Sequence, residues 1–212
     1  MKTMDKEIRA FNFEVRAEKD EEHGQFLTGQ PIVYESATAI FDPFIGPYTE
    51  IIDRGALDNT DLNDVRFLVN HNTDMIPLAR SRRNTENSTM QMRVVENGME
   101  IRVNLDTENN ADAKALYSAV GRGDITGMSF MFTVDSDFWE DIDTDNPIRH
   151  IRSFKRVYEV SAVTFPAYAA TSISQRGLSE ALESAKESLE SARAAKRELE
   201  RKKQRIRILT EV

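Results

Sequence analysis

Hydrophobic positions fall in short runs that alternate with polar residues or stay apolar throughout. Eight such runs are rich in β-branched and aromatic residues and end at turn formers: Ile8–Val15, Gln25–Tyr34, Val65–Asn70, Met90–Val95, Met99–Leu105, Ile125–Val134, His150–Tyr158 and Val160–Phe165. That pattern predicts strands. Glu96-Asn97-Gly98 separates two of them and reads as a hairpin turn, because Asn-Gly tolerates the positive φ of a tight connection. One helical stretch interrupts the strands, with Asp106 or Thr107 as its cap, Ala111, Ala115, Leu116 and Ala119 as its stripe, and Gly121 as its stop. Asp135 to Asn146 carries six acids and no base, which predicts a solvated loop.

Beyond Gly177 the period changes. Leu178, Leu182, Ala185, Leu189, Ala192, Lys196, Leu199, Lys203 and Ile206 are spaced alternately by four and three, a heptad seam. Lysine and alanine on that seam predict at most a weak coiled coil. The expected organisation is a mainly β domain with flanking helices (α+β) over 1–176, followed by a charged helical tail over 177–212. Net charge follows the same division: −8 overall, +2 in the tail and −10 in the rest.

Composition narrows the function. At 212 residues, 40% hydrophobic and 30% charged, the chain matches a globular domain with an appendage. No apolar run reaches the roughly 18 residues of a membrane span, so no membrane partner is expected. The acidic balance argues against nucleic acid, which needs a basic footprint. With no cysteine, disulfides, thiol nucleophiles and cysteine zinc sites are excluded. Asp141-Ile142-Asp143-Thr144-Asp145 opens like a calcium loop, but Asn146 replaces the glycine and Arg152 the bidentate glutamate. No metal and no cofactor is expected.

Three apolar runs each contain one side chain of a type used in catalysis. Ser129 lies in Thr126-Gly127-Met128-Ser129-Phe130-Met131-Phe132, on the strand face opposite Met128, Phe130 and Phe132. A strand serine bonded to backbone is the plainer reading of this segment alone, while Gly127 beside it lets a substrate backbone approach. His71 ends Leu68-Val69-Asn70-His71, at a strand end where functional groups gather. His23 and His150 sit in charged surroundings and are weaker bases. Glu159, in Tyr158-Glu159-Val160-Ser161, has apolar residues on both sides and needs a partner if buried. That partner is either Arg152 or Arg156, as a structural ion pair, or an imidazole it orients. Nucleophile, base and orienting acid are together the parts needed to open an amide without a metal.

The order and spacing of these segments resemble the HK97-type prohead (capsid maturation) proteases of tailed phages. Glu50-Ile51-Ile52-Asp53-Arg54-Gly55-Ala56-Leu57 is similar to the family's E-x-I-x-x-G-A-F, and Leu68-Val69-Asn70-His71-Asn72 to its L-x-N-H-D. Gly123 to Phe132 resembles G-x-L-x-G-x-S-x-G-F, and Glu159 to Ala167 resembles E-x-S-L-V-x-x-P-A. Met131 and Ala79 stand where the family usually has glycine. The resemblance implies a herpesvirus-protease-like β-barrel and a serine endopeptidase with Ser129 as nucleophile, His71 as base and Glu159 as orienting acid. It implies action inside the immature capsid, in the host cytoplasm, on major capsid or scaffolding protein and on the protease itself. A homodimer is expected by the same analogy, and Arg80 is one candidate oxyanion donor beside a backbone N–H near Ser129. A non-catalytic capsid-assembly protein with a vestigial protease fold, its tail binding scaffold, is the competing expectation.

Overall fold

The computed structural model describes residues 6–11, 15–21, 24–42, 45–164 and 175–210. These residues are mostly β, with two helices among them. The strands are β1 (Glu7–Phe11), β2 (Val15–Asp20), β3 (Gly24–Val33), β4 (Thr38–Asp42), β5 (Gly46–Ile52), β6 (Asp64–Val69), β7 (Ala79–Arg82), β8 (Met90–Val95), β9 (Gly98–Asn104), β10 (Gly127–Glu140) and β11 (Ile148–Val163). The helices are α1 (Ala111–Gly121) and α2 (Gln175–Thr210).

Two sheets hold these strands. A seven-stranded sheet runs β1-β10-β11-β5-β4, with β6 joining β11 and β7 joining β6. A four-stranded sheet runs β2-β3-β9-β8. Among the described residues no closed barrel forms. Alternation along each strand sends one face into a shared core, where Leu27, Ile32, Met99 and Val103 of the smaller sheet join Phe67, Phe130, Phe132, Phe154 and Val160 of the larger. Phe132 lies 4.7 Å from Phe130, stacked, and 4.8 Å from Phe154, edge-on.

Long strand β11 organises the larger sheet. It pairs antiparallel with β10, parallel with β5 at one end and parallel with β6 at the other. Two strands expected separately on either side of Glu159 are therefore one, because the glutamate is paired and does not break the ladder. The expected strand Ile8–Val15 is instead two: β1 belongs to the larger sheet and β2 to the smaller. The acidic stretch also differs from expectation. Strand β10 continues to Glu140, since Trp139 is buried and Asp137 meets Arg149, so only 141–147 is a connection.

Helix α1 starts later than expected. Asn110 caps it, its Oδ1 accepting from the N–H groups of Asp112 (2.9 Å) and Ala113 (3.2 Å). Asp106 is engaged one turn earlier, with the N–H of Asn109. Ala113, Leu116 and Val120 form the buried stripe. Helix α2 packs Ala185 and Leu189 against Tyr48, Trp139 and Ile142. Ser188 accepts from Trp139 Nε1 (3.1 Å) and donates to Asp137 (2.7 Å). Further along the seam Leu199 and Ile206 are exposed, and the side chains of Leu178 and Leu182 lie outside the described residues.

The expected β8–β9 turn is present, and its glycine is required. Gly98 has φ +144°, and a Cβ there falls 1.9 Å from the carbonyl oxygen of Ile32 in β3. Backbone of another strand cannot yield as a side chain can. Gly98→Ala is therefore expected to lower stability by about 2–4 kcal/mol, read as a reduced urea midpoint at unchanged m-value.

Candidate active site

The site is assembled where β6 runs beside the end of β11. In this parallel pair Arg66 lies beside Glu159 and Leu68 beside Ser161. Chain direction then reverses through two left-handed residues, Asn70 (φ +50°) and His71 (φ +57°). Asparagine accepts that conformation more readily than most residues, and it is anchored here. Asn70 N–H donates to Ala162 O (3.0 Å), and Asn70 Oδ1 accepts from the backbone N–H of Thr164 (3.0 Å). The reversal carries His71 back over β11.

There the imidazole meets the carboxylate. His71 Nδ1 is 2.5 Å from Glu159 Oε1, with both side chains nearly inaccessible. Ser161 donates from Oγ to the other carboxylate oxygen, Oε2, at 2.6 Å, and its Oγ accepts from the backbone N–H of His71 at 3.1 Å. Neither arginine considered as a partner is used. Arg156 turns to Asp61, and Arg152 stacks over Phe138. His71 Nε2 is buried and has no hydrogen-bond partner among the described residues. A buried ring nitrogen without a partner is costly, and such groups concentrate where chemistry needs them.

Ser129 lies on the neighbouring strand, directly opposite Ser161 and so on the same sheet face as Ser161 and Glu159. It is fully buried. Its hydroxyl donates to the carbonyl oxygen of Arg9 in β1 (2.7 Å) and not to His71. The geometry thus joins His71 to Glu159 directly and places Ser129 one strand away, capped by β1. Arg80 is committed elsewhere: its guanidinium forks onto Asp64 at 2.6 and 2.8 Å, and these bonds hold the Asp64 carboxyl below its ordinary range. His150 bonds Asp53 (2.8 Å) and stacks on Phe138, and His23 lies outside the described residues.

Strand β1 is itself held by a buried ionic network that sequence reasoning missed. Arg9 donates to Glu50 at 2.5 and 2.7 Å and to Glu7 at 2.7 Å. Arg149 binds Glu7 at 2.7 and 2.9 Å and Asp137 at 2.7 Å. The strand order puts β10 and β11 between β1 and β5, so the sheet must curl for Arg9 to reach Glu50. The missed signal was local and weak: Glu50 precedes Ile51-Ile52, and Arg149 lies between Ile148 and His150-Ile151. Ser161 was missed too, although the E-x-S spacing places it on the face of Glu159.

Burial pushes the Glu7 carboxyl up, but Arg149 and Arg9 beside it outweigh burial and hold it below its ordinary 4.5. A depressed carboxylate stabilises the fold above its unfolded value and ceases to do so as pH falls through the folded one. The melting temperature is therefore expected to drop as pH is lowered from about 5 towards 3. Glu7→Gln is expected to flatten that part of the profile, and an unchanged slope in differential scanning calorimetry excludes Glu7 as the source.

Comparison with known proteins supplies one match. A family model described as caudovirus prohead serine protease covers residues 11–187, a span that includes His71, Ser129 and Glu159. No curated protein and no solved structure matches the chain. Among the described residues no helix is long and apolar enough to cross a membrane, and no group of three or more acids and histidines could hold a metal ion. A match over more than four-fifths of the chain, through every segment that brings serine, histidine and glutamate onto one sheet, places this protein in the caudovirus prohead serine protease family.

Proposed function

We propose that the chain is a serine endopeptidase of the immature tailed-phage capsid, with Ser129 as nucleophile, His71 as general base and Glu159 as orienting acid. The observation that carries this reading is the bond between His71 Nδ1 and Glu159. A proton on Nδ1, donated in a hydrogen bond to the carboxylate, leaves Nε2 as the basic nitrogen, and Nε2 is the ring atom without a partner among the described residues. The Ser129 hydroxyl must leave the Arg9 carbonyl and turn towards Nε2 as a peptide carbonyl arrives.

Ser129 Oγ then bonds to the carbonyl carbon while its proton passes to Nε2. Collapse of the tetrahedral intermediate breaks the C–N bond, and His71 returns the proton to the departing amine. Water, deprotonated in turn by His71, releases the acyl group and regenerates the hydroxyl. Substrates are segments of major capsid or scaffolding protein, and of the protease itself. The heptad-patterned part of α2, with Leu199 exposed, is the segment that would recruit such partners.

Ser129, bonded to Arg9 and fully buried, favours the competing reading, a capsid-assembly protein with a silent site. Co-expression with the cognate capsid or scaffolding protein separates the two. New fragments with discrete termini in intact-mass spectra support the protease, whereas an unprocessed partner that still co-assembles supports the silent site.

A further inference from the structure

We propose that Ser161 is a positioning residue for the reaction proposed above, on which this inference rests. One hydroxyl fixes both ends of the His71–Glu159 pair. Its hydrogen goes to Glu159 Oε2, and a lone pair accepts the N–H of His71. The imidazole is thereby held from two sides. Ser161 sets the carboxylate that meets the ring, and it anchors the backbone that carries the ring.

Three features make the hydroxyl more than a filler of space. First, the last side-chain torsion of glutamate is broad and two-fold, so a carboxylate bonded through one oxygen alone can swing. Among the described residues Glu159 has hydrogen bonds to His71 and Ser161 and to no arginine, so Ser161 supplies the second anchor. Second, His71 is a non-glycine residue at φ +57°, a conformation that persists only when its surroundings over-determine it. The bond from its N–H to Ser161 contributes that constraint. Third, the position is fully buried between Leu68 of β6 and Ser129 of β10, so no water replaces a missing hydroxyl.

The residue type follows from this arrangement. A group that donates and accepts at once, at the length of one carbon from the backbone, is a serine or threonine hydroxyl. Alanine leaves Glu159 Oε2 and the His71 N–H both buried without partners. The ring is then free to tilt, and the proton on Nδ1 is no longer directed at a fixed oxygen.

The test uses the full chain as wild type, Ser161→Ala and Ser161→Thr, each co-expressed with the cognate capsid or scaffolding protein, with circular dichroism to establish folding. Processing by Ser161→Ala is expected to fall at least tenfold, and Ser161→Thr to recover to within about threefold of wild type. Proton NMR of the purified chain is the readout that a merely structural serine does not move. The downfield Nδ1 proton, assigned by its loss in His71→Gln, is expected to shift and exchange faster with water in Ser161→Ala and to return in Ser161→Thr. A folded Ser161→Ala that processes at the wild-type rate, or that keeps the Nδ1 signal unchanged, overturns the proposal. So does a folded Ser161→Thr as impaired as alanine. If wild type cleaves nothing, the protease reading fails on its own, and the NMR comparison still decides whether Ser161 sets the pair.

Discussion

Ser129→Ala is expected to abolish processing of the capsid or scaffolding partner, by at least about 10³-fold, while leaving the fold in place. The two halves of that expectation have separate physical sources. Activity is lost because the hydroxyl directly across the ladder cannot take over: Ser161 is spent on Glu159 and His71. The fold survives because the substitution removes one oxygen from a strand whose packing is done by its opposite face, through Met128, Phe130 and Phe132. What is lost structurally is the bond to the Arg9 carbonyl, worth about 1 kcal/mol. Strand β1 keeps its ladder with β10 and its ionic anchors at Glu50 and Arg149. Intact-mass analysis of co-expressed partner reads the first half and thermal unfolding the second. Fragments that persist with the alanine variant remove Ser129 from the nucleophile position.

The alternation of apolar residues was enough to locate most strands and to place Ser129 opposite the phenylalanines, because side-chain direction in a strand is a local property. Glu159 was legible for a different reason: a carboxylate with apolar neighbours on both sides has to be satisfied by something. What satisfies it was not legible. The choice between arginine and imidazole depends on β6 lying parallel to β11 in one register, and that pairing joins residues about ninety positions apart. A one-residue slip turns His71 to the other side. The same limit hid the Glu7–Arg9–Glu50–Arg149 network, whose members lie on three strands and meet only because the sheet curls. The cap of α1 was misplaced by local ambiguity, since Asp106, Thr107 and Asn110 are all good capping residues. The resemblance to prohead proteases carried His71, Ser129 and Glu159 as a set. It was silent about Arg9, whose carbonyl holds the serine in this arrangement.

Glu159→Gln is expected to reduce processing about 10³–10⁴-fold at nearly unchanged stability, through the tautomer of His71. The amide is isosteric with the carboxylate, so packing is retained. Its two ends, however, are no longer equivalent. The Ser161 hydroxyl donates to Oε2, which favours the amide oxygen at that place and turns the NH₂ group towards His71 Nδ1. Nδ1 must then accept, the ring proton moves to Nε2, and the nitrogen that should take the Ser129 proton is already protonated. The downfield Nδ1 proton is expected to vanish from the NMR spectrum together with activity. Because Ser161 imposes this amide orientation, the two substitutions are coupled. Glu159→Gln combined with Ser161→Ala frees the amide to flip and is expected to be no worse than Glu159→Gln alone, far short of the product of the two losses. A Glu159→Gln variant within threefold of wild type removes Glu159 from the orienting role. Losses that simply multiply show that Ser161 and Glu159 act independently on His71.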